Sequence, residues 1–330
     1  MHSSRFRHGA AIVAAIVVVL IAAGSAAAQT KWADMRVVTH TGRTLAEFRQ
    51  YTGSTTVRSS PKADCFGSPS SRKRYRLHDP NALGIVKDAM ASDRALRPLW
   101  ITDAFVDDGF GLGLCSMGGF ETVGNSFWDL VVNHVASSTG ASVTPVHDGD
   151  HVLWYFTSGS EPRSGPKELA LKVPASVRPG AAFTVSVRRF TAAGRVSPAG
   201  AVAVSAGDRS LGTTGADGEL RARLSQSATL EATGTANDIP SNHVAVCVKS
   251  GGSRCPNAHG AEVYGSEHRD GIKGTRGWDR ISARGGGDVV NIRSGGRDRV
   301  NCGGGRDEVI VDGGDRDDHI ASSCERVSRR

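Results

Sequence analysis

Aromatic residues are scarce, at 6% of a 330-residue chain. No stretch after the N-terminal leader is long or apolar enough to cross a membrane, so no membrane association is expected once the leader is cleaved. No Gly-X-Y period runs through the 41 glycines, which excludes collagen. No Cys-x-x-Cys occurs, so neither a thiolate zinc site nor a redox motif is expected. Catalytic signatures are missing as well: no Gly-x-Ser-x-Gly elbow, no His-Glu-x-x-His and no Walker loop. The basic residues form no concentrated footprint with interleaved aromatics, so nucleic acid is not an expected partner. The chain therefore reads as non-enzymatic. The alternative is a cell-envelope hydrolase, since the carboxylate pairs of glycoside hydrolysis meet in space and not at a fixed sequence spacing.

What is present begins with a leader. Arg5 and Arg7 precede the apolar run Gly9–Ala23, and Ala26-Ala27-Ala28 before Gln29 fits a small-x-small cleavage pattern. Residues 1–28 read as a secretory signal peptide, so the mature protein is expected outside the cell, secreted or held at its surface. The formal charge is +7, and loss of Arg5 and Arg7 leaves +5. That balance suits solubility or loose attraction to an anionic cell surface. Export to an oxidising compartment turns the six cysteines into three expected disulfides. Fifteen pairings are possible. The sequential one, Cys65–Cys115, Cys247–Cys255 and Cys302–Cys324, keeps each bridge inside one compositional region and is preferred.

Residues 35–160 form the first region. Alternating patterns at Phe127–Asn133 and His151–Phe156 read as strands. Leu83, Val86 and Met90 share one helical face, with Asp79-Pro80 as the helix start. His147-Asp148-Gly149-Asp150 reads as a turn, and His134 as structural; a metal or acid–base role for the cluster His147, Asp148, Asp150 and His151 is the competing expectation. Trp128, Trp154 and Tyr155 read as core, with an apolar ligand surface as the alternative. Three motifs in order, the Asn81-Ala-Leu-Gly helix, the Trp128-Asp-Leu-Val-Val-Asn strand and the closing Gly149-Asp-His-Val-Leu-Trp-Tyr strand, resemble the transcobalamin C-terminal-like domain family. The resemblance covers roughly 40% of the mature chain and implies a β-grasp-like α+β fold. In that family the module contacts a corrinoid together with a helical partner domain. No such domain is encoded here, which argues against corrinoid binding.

Residues 165–248 are rich in Val, Ala, Thr and Ser, with Pro/Gly turns at Arg178-Pro-Gly, Ser197-Pro-Ala-Gly and Thr214-Gly-Ala-Asp-Gly. Short alternating runs every ten or so residues predict a β-sandwich resembling bacterial Ig-like spacers. The tryptophan and core cysteine pair of antibody domains are absent.

The glycine excess belongs to the tail, where 17 of the 41 glycines follow Lys249. The unit Asp-x-(Ile/Val) recurs at Asp270, Asp279, Asp288, Asp298, Asp307 and Asp318, with spacings of 9, 9, 10, 9 and 11. Over residues 257–324 this resembles the nonapeptide repeats of secreted calcium-binding (RTX-like) β-rolls. The resemblance implies a parallel β-roll, with aliphatic residues at Asp+2 inside and the aspartates as calcium ligands. Carboxylates suit Ca²⁺, which takes about six to eight oxygen donors. Arg297 and Arg306 beside Asp298 and Asp307, and the longer spacings, depart from the pattern and keep a second reading open, a metal-poor structural roll. The strongest sites are expected at Asp270, Asp279 and Asp288.

The whole reads as a mainly β, multidomain, secreted or cell-surface protein that binds or scaffolds without catalysis. A cell-envelope polymer or protein is the expected partner, and a surface adhesin is a further alternative.

Overall fold

The computed structural model describes residues 30–67, 70–159, 165–252, 255, 257–314 and 316–330. Residues 1–28, expected to be a signal peptide, lie outside the described residues. Thirty strands and a single α-helix make the described chain mainly β. All three sequential cysteine pairs are disulfide-bonded: Cys65–Cys115, Cys247–Cys255 and Cys302–Cys324.

The front module is built on a hairpin, Lys31–Thr39 and Thr44–Thr52, paired from Trp32↔Tyr51 to Val37↔Ala46. The closing strand Asp150–Phe156 lies parallel to Lys31–Thr39, and Trp128–Val132 runs antiparallel beside it. The helix Ala82–Ser92 packs on this sheet over a core that includes Met35, Val37, Leu83, Ile85, Val86 and Trp154. It starts two residues later than Asp79-Pro80 implied. Asn81 is the cap, its Oδ1 accepting from Gly84 N at 2.9 Å while its Nδ2 donates to the Asp79 carbonyl. The amphipathic face is not a narrow stripe either: Ala82 to Val86, Asp88 and Ala89 are all buried. Trp128, Trp154 and Tyr155 are also buried, between 2% and 7% exposed, and pack in cores.

In the middle module, one sheet centres on Lys167–Lys172 and Ala182–Phe190 and the other on Ala203–Ala206, Ala228–Thr233 and Val244–Val248. Leu169, Val185 and Val187 from the first meet Val204, Leu230 and Val246 from the second in one core.

The tail coils into two parallel sheets. One contains His259–Tyr264, Trp278–Ser282, Arg299–Asn301 and His319–Ile320; the other Gly271–Lys273, Val289–Asn291, Glu308–Val311 and Arg326–Arg329. Each nine-residue unit is half a coil, so a full coil takes two units. Ile272, Ile281, Val290, Val300 and Val309, the residues at Asp+2, fill the interior at 2% exposure or less. The glycines are required where coils close on each other. Gly305 has φ +139°, and a Cβ there would collide with the Gly286 carbonyl.

The tail is not a separate appendage. His259–Tyr264 pairs parallel with Thr44–Thr52 through Arg49↔Val263 and Gln50↔Tyr264, which fuses one face of the coil to the front sheet in nine strands. Tyr51 enters the tail's core and donates from Oη to the Gly271 carbonyl at 3.1 Å. The fully buried Gln50 donates to the Gly265 carbonyl at 3.1 Å. The edge strand of one module is thereby the end cap of the other.

Candidate functional site

The structure brings the tail aspartates together in two columns, each skipping one unit. In the first column the backbone amide of Asp270 donates to Asp288 Oδ1 (2.8 Å), Asp288 N to Asp307 Oδ1 (2.7 Å) and Asp307 N to Glu325 Oε2 (2.8 Å). In the second, Ala261 N donates to Asp279 Oδ1 (2.6 Å), Asp279 N to Asp298 Oδ1 (2.7 Å) and Asp298 N to Asp318 Oδ1 (3.0 Å). Neighbours nine residues apart in sequence, such as Asp270 and Asp279, therefore stand in different columns. The irregular spacings are absorbed because a coil tolerates 18, 19 or 20 residues between stacked acids. Glu325 completes the first column. Its signal was in the sequence, since Glu325-Arg326-Val327 has the same acid-x-aliphatic form.

Asp270, Asp279, Asp288, Asp298 and Asp307 are each at most 1% exposed. Such burial disfavours the ionised form, and the first coil offsets it with hydroxyls and amides. Asp270 accepts from Ser266 N (2.6 Å) and Oγ (3.0 Å), and Asp279 from Thr275 N (2.5 Å) and Oγ1 (2.7 Å). Even so, burial raises both carboxyls above the usual range. Burial pushes Asp288 up to about 7; the Asp270 amide opposes this, and the carboxylates of Asp270 and Asp307 reinforce it. Asp288 Oδ2 and Asp307 Oδ2 are buried with no hydrogen-bond partner. Hard, orphaned carboxylate oxygens in one column are chemically suited to a hard cation such as calcium. Among the described residues no group of three or more His, Cys, Asp and Glu side chains converges as a ready cage.

The front-module cluster is divided. His147 and Asp148 are exposed, and Asp150 shapes the turn by accepting from His147 N at 2.7 Å and Asn133 Nδ2 at 2.8 Å. Gly149 has φ +89°. His134 and His151 instead stack with ring centroids 6.0 Å apart at the junction with the middle module. There Arg36 Nη2 binds Glu168 Oε1 (2.8 Å), His134 Nδ1 meets Glu168 Oε2 (2.9 Å), and Arg36 donates to the Pro240 carbonyl. Burial raises Glu168, but the His134 hydrogen bond and the Arg36 charge outweigh it and hold the carboxyl low. His243 bonds Glu47 at 2.6 Å, which raises the imidazole against its burial. These groups line a cleft of about 710 Å³ where the three modules meet, and their bonds hold modules together. The sequence carried no sign of this junction.

No family model, no curated protein and no solved structure matches this chain.

Proposed function

We propose that this is an exported, non-catalytic binding and scaffolding protein whose tail is a calcium-responsive β-roll. In this reading the front module is a β-grasp-like domain of the transcobalamin C-terminal-like kind, and the middle module is an Ig-like spacer. The front sheet supports the first assignment: a hairpin, one helix across it, and a last strand parallel to the first. The repeat spacing and the two-sheet coil support the third.

One observation carries the proposal. Asp288 Oδ2 and Asp307 Oδ2 lie buried and unpartnered in a column that also holds Asp270. A divalent ion bound there would offset both the desolvation of these carboxylates and their mutual repulsion. The single protein carboxylates contributed by each coil would leave backbone carbonyls to complete the shell.

Metal analysis and calcium titration of the purified mature chain test this. Millimolar calcium is expected to raise the thermal midpoint, EGTA to reverse the rise, and Asp288→Asn to remove most of it. A midpoint indifferent to calcium and EGTA overturns the calcium assignment.

A further inference from the structure

Neither the tail columns nor the module junctions use the most concentrated run of cations in the chain, Arg72-Lys73-Arg74-Tyr75-Arg76. Its last three residues begin the strand Arg74–Leu77, which forms a two-stranded antiparallel ribbon with Thr55–Arg58 at the surface of the front module. The register sets Arg58 opposite Arg74 and Thr56 opposite Arg76. Val57 and Leu77 are buried, so the alternating residues Arg58, Arg74 and Arg76 share the outward face, and all three are exposed. Arg72 and Lys73, just before the strand, are exposed too.

Three features argue that the arrangement serves a ligand. Like charges directly opposite each other across a ribbon are destabilising, and Arg58 faces Arg74. None of the five cations has an acid within ion-pair distance among the described residues. A carboxylate beside the ribbon, Asp103, is committed to the Tyr75 hydroxyl at 2.8 Å and to the Ser71 amide and hydroxyl.

The row is also held in place. Arg58 Nε donates to the Arg72 carbonyl at 2.9 Å, and Ser59 N to the Lys73 carbonyl at 3.0 Å. Arg72 sits at φ +61°, a left-handed conformation that non-glycine residues rarely adopt. The connecting loop is tied to the neighbouring sheet by Cys65–Cys115 and by Ser60 N to the Ile101 carbonyl. A fixed row of cations, four of five being Arg, matches a chain of anions better than a single ion. Guanidinium forks prefer phosphate oxygens, which they can bind in pairs.

We propose that this ribbon binds inorganic polyphosphate, a linear chain of phosphate anions. The site is remote in chemistry from the tail and needs no metal, so its test stands or falls apart from the calcium titration. The probe is long-chain inorganic polyphosphate, with orthophosphate as the monomer control, added to the full mature chain in EGTA. Polyphosphate is expected to bind with an affinity that falls steeply with salt, while orthophosphate does not bind measurably. The triple variant Arg58→Gln, Arg74→Gln, Arg76→Gln is expected to weaken binding about tenfold or more. It should flatten the log–log salt slope by about 2, since each contact to a single-stranded polyanion contributes about 0.7. A control triple on the middle module, Arg209→Gln, Arg221→Gln, Arg223→Gln, removes the same charge elsewhere and is expected to leave binding unchanged. Absence of polyphosphate binding overturns the proposal. So does equal weakening by both triples, which would reduce the effect to net charge. Binding to anionic vesicles that polyphosphate cannot displace would overturn it in favour of a lipid surface.

Discussion

Asp288 is the residue on which burial, charge and pH meet. Its folded value of about 7 stands above the unfolded value of 3.8, so the native state holds the proton more tightly. Between those two values stability falls as pH rises, and above them the loss is complete. His243 acts in the same direction. Its raised imidazole contributes stability that is fully present below the unfolded value of 6.5 and is lost as pH climbs through the folded one. Glu168 is held low, so its contribution fails only in acid, as pH drops below its ordinary 4.5. In EGTA the thermal midpoint is therefore expected to be higher at pH 5.5 than at pH 8. Asp288→Asn should flatten part of that dependence, because Asn keeps the Oδ1 acceptor for Asp270 N and removes the charge. An unchanged pH profile in the variant would assign the dependence to the other raised groups, Asp270, Asp279 and His243, instead. At the helix start, Asn81→Ala should cost about 1 kcal/mol by denaturant unfolding, the usual value of a lost N-cap.

At the scale of elements, the tail shows what a repeat pattern conveys and what it leaves out. Asp-x-aliphatic marked both the buried acids and the interior residues, because a period-2 strand puts Asp and Asp+2 on the same face. Ile281→Ala should cost about 2–5 kcal/mol, since the side chain is 1% exposed in a close-packed coil. What the pattern did not convey is which acids stack. Stacking depends on the coil closing after two units, a property of backbone geometry that a list of spacings does not contain. The same holds for Glu325, which has the form of the repeat but follows a spacing of seven from Asp318 and a different acid. The disulfides were legible because Cys65–Cys115 and Cys302–Cys324 each lie within one compositional region and Cys247 and Cys255 are only eight residues apart. The helix was legible as a helix but not in its extent, because it is buried on nearly every side and its cap is Asn81.

At the scale of the molecule, three compositional regions become one connected body. The join was invisible in sequence, since pairing of Thr44–Thr52 with His259–Tyr264 spans more than two hundred residues with no motif at either end. Its consequence is that the tail has no free first coil. A chain truncated after Gly252 would expose the Thr44–Thr52 edge and leave Tyr51 without its packing partners, and is expected to aggregate by size-exclusion chromatography. The middle module is held by charge as well as by packing. Glu168→Gln would leave the 6%-exposed Arg36 with no anionic partner, a loss of the order of 3–5 kcal/mol for a buried pair. A smaller loss in chemical denaturation would mean that water reaches the junction.

The central claim is that cation binding in the first carboxylate column rigidifies a tail built into the front sheet. Amide hydrogen exchange of the full chain, with millimolar calcium and with EGTA, tests it most directly. Calcium is expected to slow exchange at Asp270, Asp288 and Asp307, whose amides donate along that column, and the slowing should vanish in Asp288→Asn. Identical exchange in calcium and EGTA would contradict the account and leave the tail a purely structural coil.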